Sequence, residues 1–220
     1  MRLARFSHQR ETKPIRSRTL LIKKSAKLFI LLVAVGLAVN FVCSAEEHSS
    51  SQLHVFDLAG RQVDPLQAIG AKAIVFLFIR TDCPISNRYA PEVKRLHDRF
   101  APSGVTFWLV YPDASESVKF ITKHIREFRY SLDALRDTQH ALVTLTGVNV
   151  TPEAAVFIPE ISGPRMVYRG RIDDSYVTLD KTRPAPSTHD LEQVLDSILK
   201  GEPITAKTTP AIGCFISDLR

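Results

Sequence analysis

Two kinds of hydrophobic pattern alternate along the chain. Residues 73–80 (AIVFLFIR) and 105–111 (VTFWLVY) are runs of strand-forming residues, as expected of strands buried on both faces. Between them, residues 87–100 read as a helix interrupted by Pro91. Residues 115–129 place Val118, Ile121, Ile125 and Phe128 on one helical face, and 139–145 form a short helix. Strands are expected at 154–158 and 166–168, joined by a turn containing Gly163-Pro164. Residues 55–66 read as an edge hairpin and 178–190 as a Pro/Thr-rich loop. A last helix, 191–199, carries Leu191, Val194, Leu195 and Ile198 on one side, and residues 201–220 form a mostly irregular tail. No internal repeat is visible.

Strand, helix, strand, helix, then hairpin and helix predict an α/β fold: a central mixed sheet covered on both faces. Short, right-handed connections make the first two core strands parallel, so they end at the same pole. The next strand starts at that pole, after Thr151-Pro152, and the last one ends there. Cys83, residues 111–113, Thr151-Pro152 and residues 171–176 are therefore expected to converge, beyond the carboxyl ends of the parallel strands, where ligands of open α/β sheets bind.

Charge changes the picture only at the N-terminus. The formal net charge is +6, but residues 1–27 hold nine Lys/Arg and one acid, which leaves 20 basic against 22 acidic residues in 28–220. No basic face argues for nucleic acid as a partner. The basic segment is followed by an apolar run, 28–43, and then by Ser44-Ala45. That is the layout of a secretory signal peptide cleaved after Ala45, or of an N-terminal membrane anchor that would associate with the bilayer through 28–43. Both place the rest of the chain in an exported, periplasmic or cell-envelope compartment that permits disulfides. The expected organisation is a leader (1–45), a polar linker (46–52), one domain (53–200) and a tail carrying Cys214 (201–220).

Cys83 sits where a buried strand meets a helix N-terminus, a position that favours the reactive thiolate. Arg80 and Arg88 are candidates to stabilise it. The Ser86 hydroxyl is placed either to bond the sulfur or to cap a backbone N–H. Cys214 is the candidate resolving thiol. Fourteen extended residues beyond the last helix reach about 46 Å, against a radius of gyration of about 15 Å for such a domain. The alternative is a tail cysteine that packs beside Phe215 and Ile216 without meeting Cys83. Asp173, Asp174 and Tyr176 fall at the same pole, as substrate-orienting groups or as a solvated acidic turn. The seven histidines lack ligand spacing, and neither a metal nor another cofactor is expected.

The order of elements, with C-P-I-S at the strand–helix junction, resembles the thioredoxin fold. Pro91 lies where thioredoxins kink the active-site helix, and Thr151-Pro152 resembles their cis-proline segment. On that resemblance, Thr151 and Pro152 would bind an extended substrate beside the thiol. The motifs D-C-P-I-S-N-R-Y-A-P-E, V-T-P-E-A, Y-R-G-R-I-D-D-S-Y and A-I-G-C-F-I together resemble exported redoxins grouped with alkyl hydroperoxide reductases and thiol-specific antioxidant proteins. The resemblance covers about residues 52–216 and implies a thioredoxin-like three-layer fold. It also implies a thiol-dependent oxidoreductase acting on a disulfide or peroxide and recharged by an external thiol. Three departures stand out. Ser86 replaces the second thioredoxin cysteine. Arg80 and Phe76 stand where peroxiredoxins carry Thr or Ser and Pro. Asn87 occupies the position of the second cysteine of copper-chaperone relatives. Two further readings follow: a cysteine peroxidase of peroxiredoxin type, and a non-catalytic redoxin-fold binding or metal-carrier module of the envelope.

Overall fold

In the computed structural model of the chain, residues 53, 55–205 and 207–216 are described. The leader, with its apolar run 28–43, and the linker lie outside them. Among the described residues, no helix is long and apolar enough to cross a membrane.

The elements follow in chain order. A hairpin, β1 (Val55–Asp57) and β2 (Gln62–Val63), precedes β3 (Ala73–Phe78). Two helices, α1 (Pro84–Arg88) and α2 (Ala90–Phe100), lead to β4 (Val105–Tyr111). Then come α3 (Val118–Glu127), β5 (Asp133–Arg136), α4 (Ala141–Thr146) and the short β6 (Val150–Thr151). β7 (Glu153–Ile158), β8 (Arg165–Gly170), α5 (Asp190–Lys200) and β9 (Cys214–Phe215) complete the order. Seven strands make one mixed sheet in the order β2-β1-β5-β4-β3-β7-β8, and β6 pairs with β9 in a second, two-stranded sheet. β3, β4 and β5 are parallel; β7 runs antiparallel to β3, and β8 to β7.

The period of two in β3 divides the core. Val75 and Leu77 face a cluster that includes Val93 and Leu96 of α2, Ile121 of α3 and Leu191 and Leu195 of α5. Ile74, Phe76 and Phe78 face the opposite cluster, with Leu142 and Val143 of α4 and Ile216 of the tail. Each such side chain, fully withdrawn from water, contributes about 1.5–3 kcal/mol. The result is a thioredoxin-like three-layer α/β fold with helices on both faces of the sheet.

Local chemistry sets the helix limits. Cys83 is the N-cap of α1, which begins at Pro84 rather than at the expected residue 87. The chain breaks at Tyr89, and Pro91 stands in the first turn of α2, where its missing N–H costs nothing. The Ser117 hydroxyl caps α3 by accepting from Phe120 N–H at 3.4 Å. Asp137 accepts from Ala141 and Val143 N–H at 2.7 and 2.9 Å, and so starts α4. Arg95 bridges Glu92 and Glu192, which ties α2 to α5.

The structure adds two paired segments to the sequence reading and corrects one helix face. Residues 133–136 form a strand, β5, which pairs with β4 and β1. The face of α3 turns past Val118, which is exposed, and buries His124 beside Ile121. The tail is mostly irregular, as expected, with two paired parts. Residues 207–209 run beside β8, with Arg169 N–H donating to Lys207 O and Thr209 N–H to Arg169 O, and β9 closes onto β6.

Candidate functional site

The turn after β3 carries Cys83. Ile79 N–H still donates to Val110 O at 2.9 Å, so the strand is held to its end, and Asn87 N–H donates to Cys83 O at 3.0 Å as α1 begins. The Cys83 sulfur, in a residue only 1 % exposed, donates to the Thr151 carbonyl at 3.1 Å and accepts from Ser86 N–H at 3.5 Å. The Thr151-Pro152 peptide is cis, and Thr151 is fully buried.

The tail brings the second thiol to this spot. Cys214 stands opposite Thr151 in the antiparallel β6–β9 pair, whose other rung is Val150 with Phe215. Both cysteines are free thiols. Burial alone would raise the Cys83 pKa. That effect is outweighed by the Cys214 side chain, the Ser86 hydroxyl and N–H and the Cys214 backbone, and the net shift is downward. Cys214 moves the other way. Burial, then its bond to Cys83 and the charge of that group, push it up to about 12, with Arg80 opposing. The two shifts run in opposite directions, Cys83 downward and Cys214 upward. The Ser86 Oγ is buried without a hydrogen-bond partner of normal geometry, so its hydroxyl stays available to the sulfur; the cap on Ser86 N–H is made by Cys83 itself.

The sequence-derived candidates divide into two groups. Cys83, Ser86, Thr151, Pro152 and Cys214 lie together, with Arg80 at their edge. Arg80 Nη2 pairs with Asp82 and Asp113, each at 3.0 Å, and Nη1 donates to Phe215 O at 3.4 Å. Its guanidinium thus bonds the tail, and its charge opposes the rise in the Cys214 pKa. Arg88, Asp173 and Tyr176 are elsewhere: they line a cavity of about 350 Å³ with Tyr89, Glu92 and Arg183. There the Tyr89 hydroxyl donates to Asp173 at 2.6 Å, and the Tyr89 and Tyr176 rings lie 5.9 Å apart. Asp174 is buried and holds the loop before α5, accepting from Ser187 and Thr188 N–H and pairing with Arg183 at 3.1 Å. The Ser187 hydroxyl above all, with those backbone donors, keeps the Asp174 carboxyl well below the usual carboxylate range.

Sequence reasoning missed a chain of buried polar groups beneath the turn. Glu116 Oε1 accepts from Thr81 N–H at 2.6 Å, and Asn87 Nδ2 donates to Thr81 O at 3.1 Å. That fixes Asn87 Oδ1 as acceptor for His124 Nε2–H at 2.7 Å, and His124 Nδ1 accepts from the Tyr111 hydroxyl at 2.9 Å. A neutral imidazole satisfies every partner, and burial lowers the His124 pKa accordingly. Burial raises the Glu116 pKa, against the pull of the Thr81 N–H. The available signal was the position of Asn87, one helical turn after Cys83.

Among the described residues, one group of possible metal ligands lies close together, Glu92, His189 and Glu192. Both carboxylates are already bonded by Arg95, and Glu192 also by Arg99, so the cluster is neutralised from within.

A cysteine at a strand–helix junction, a cis-proline segment facing it and a three-layer mixed sheet define a thioredoxin-like redoxin. The chain belongs to the AhpC/TSA family, whose model matches residues 31–163. No curated protein matches it. Among solved structures, it is similar to an uncharacterized conserved protein from Geobacillus kaustophilus, with 26 % identity over 74 % of this chain and 87 % of that one and a TM-score of 0.64. It is also similar in fold to the hypothetical protein SMc02350 from Sinorhizobium meliloti 1021, with 20 % identity, 74 % and 88 % coverage and a TM-score of 0.61.

Proposed function

We propose that the protein is an exported two-cysteine redoxin, a thiol–disulfide oxidoreductase in which Cys83 is the nucleophile and Cys214 the resolving thiol. The observation that carries this reading is the register of β9: Cys214 stands opposite Thr151, whose carbonyl is bonded to the Cys83 sulfur.

The Cys83 thiolate attacks one sulfur of a substrate disulfide; the other sulfur leaves with the bonding electron pair. Cys83 is then neutral. The hydrogen bond and the charge that helped hold the proton on Cys214 are gone, while burial remains. Cys214 gives its proton to the thiolate released in the first step and attacks the Cys83 sulfur. The Cys83–Cys214 disulfide forms and the substrate thiolate departs. Two electrons have passed to the substrate, and an external dithiol returns them to the protein. The basic, apolar leader fits export into a compartment where such chemistry is useful.

The test is turnover by the full-length protein with dithiothreitol as reductant and either a small disulfide or hydrogen peroxide as oxidant. Disulfide reduction that disappears in Cys83→Ser supports the reading. Peroxide consumption without disulfide reduction would favour the peroxidase alternative, and inertness to both would favour a binding module.

A further inference from the structure

The tail covers the very groups that an incoming strand would use. Cys83 is 1 % exposed with β9 seated, so part of its cover must move before a disulfide reaches the sulfur, and the strand that carries Cys214 is part of that cover. β9 is held through two rungs with β6, the Ile216 N–H bond to Asn149 O at 3.0 Å and the Arg80 bond to Phe215 O. These contacts are made largely by backbone, so another extended chain can make most of them equally well.

The side chains of the seated segment show what the groove admits. At position 213 only glycine fits: a Cβ there would stand 2.3 Å from the Thr151 carbonyl oxygen and 3.2 Å from Pro152 N. At 214 the cysteine faces Cys83. At 215 the phenylalanine points to solvent, 77 % exposed. At 216 the isoleucine is 5 % exposed and enters the apolar cluster with Val55, Phe76 and Leu142. Cysteine and isoleucine point inward and phenylalanine outward, the alternation of a strand.

We propose that β9 is a resident stand-in for substrate, and that the site takes an extended, disulfide-bonded segment of another polypeptide with the pattern Gly-Cys-x-apolar, which exchanges with the tail on β6. This rests on Cys83 being the nucleophile. In the exchange, the tail lifts and the segment pairs with Val150 and Thr151. Cys83 joins the segment's cysteine, and the former partner sulfur leaves as a thiolate. Return of the tail then delivers Cys214 to the Cys83 sulfur, forms the internal disulfide and expels the reduced segment from the edge it occupied. An external dithiol resets the protein. The tail thus competes with substrate in the reduced state and resolves it in the next step.

The experiment uses full-length Cys214→Ser, in which the mixed disulfide cannot resolve, with and without Gly213→Val, which drives the tail off the Thr151 carbonyl. The probes are nine-residue peptides spanning Gly-Cys-Phe-Ile, each carrying thionitrobenzoate on its cysteine, with the same disulfide of cysteamine as a small control. With the tail displaced, the parent peptide should release thionitrobenzoate about tenfold faster than with the tail seated. Replacing the peptide's glycine by valine, or its isoleucine by aspartate, should remove at least about tenfold of that rate. Replacing its phenylalanine by serine should leave it within about twofold. If Gly213→Val fails to fold, Ile216→Asp, which removes the tail's apolar anchor, should give the same ranking. Equal rates for all peptides, with the small control reacting, would overturn this proposal and leave Cys83 the nucleophile. No release from any probe would overturn the nucleophile assignment itself.

Discussion

The two cysteines are held by regions of opposite character. The turn before α1 is fixed from below by Glu116, Asn87, His124 and Tyr111, a linked chain of buried and half-buried bonds that ends on Thr81, two residues from Cys83. The end of the tail, which brings Cys214, is held by a strand of two residues, single bonds from Ile216 N–H to Asn149 O and from Arg80 to Phe215 O, and one buried isoleucine. A nucleophile needs constant surroundings, because its pKa and its line of attack depend on them. A resolving thiol must leave and return. The rigid end and the exchangeable end of the site divide those duties.

Breaking the rigid end at its reactive atom has the largest effect. Cys83→Ser should lower disulfide turnover by about 10³-fold or more, to the rate without protein. Cys214→Ser should do less. The first attack persists, the mixed disulfide on Cys83 accumulates, and turnover falls by about 10–100-fold unless an excess external thiol resolves it. Mass spectrometry of the trapped species separates the two variants.

A smaller effect sharpens the comparison from beneath. Asn87→Ala strands His124 Nε2–H and the Thr81 carbonyl in the interior, which should cost about 1–3 kcal/mol in chemical denaturation. It should also slow alkylation of Cys83, whereas Phe215→Ser, on the exposed side of the tail, should change stability by less than about 0.5 kcal/mol. Smallest is a displacement in pH. Cys214 helps hold the Cys83 pKa down, so in Cys214→Ala the Cys83 value should rise. Alkylation of Cys83 follows its thiolate and increases with pH, so the midpoint of its pH profile should move upward relative to the wild type. An unmoved midpoint would mean that the Cys214 side chain does not hold the thiolate.

The layers and the meeting of Cys83 with Thr151-Pro152 were legible because long apolar runs and the proline segment are local signals. β5 was not, since D-A-L-R has charged ends and only two apolar residues, and its strand conformation comes from pairing with β4 and β1. β9 is shorter still. Its register is set by the Thr151 carbonyl against Gly213, a contact between residues 62 positions apart in the chain. His124 and Glu116 carry no sequence signal of burial, and only the tertiary structure shows them withdrawn from solvent near the Cys83 turn. Arg88, Asp173 and Tyr176 line a cavity with Tyr89, Glu92 and Arg183, a grouping that sequence order does not show.

The central claim, that a fixed nucleophile is resolved by a tail from the same chain, is tested most directly by mapping disulfides after limited oxidation. Reduced full-length protein would be treated with one equivalent of a small disulfide, alkylated, digested and analysed by mass spectrometry across a range of protein concentrations. The account predicts a Cys83–Cys214 disulfide within one chain, formed at a rate independent of concentration. Accumulation of Cys83 as a mixed disulfide with the oxidant, with Cys214 recovered free, would contradict it.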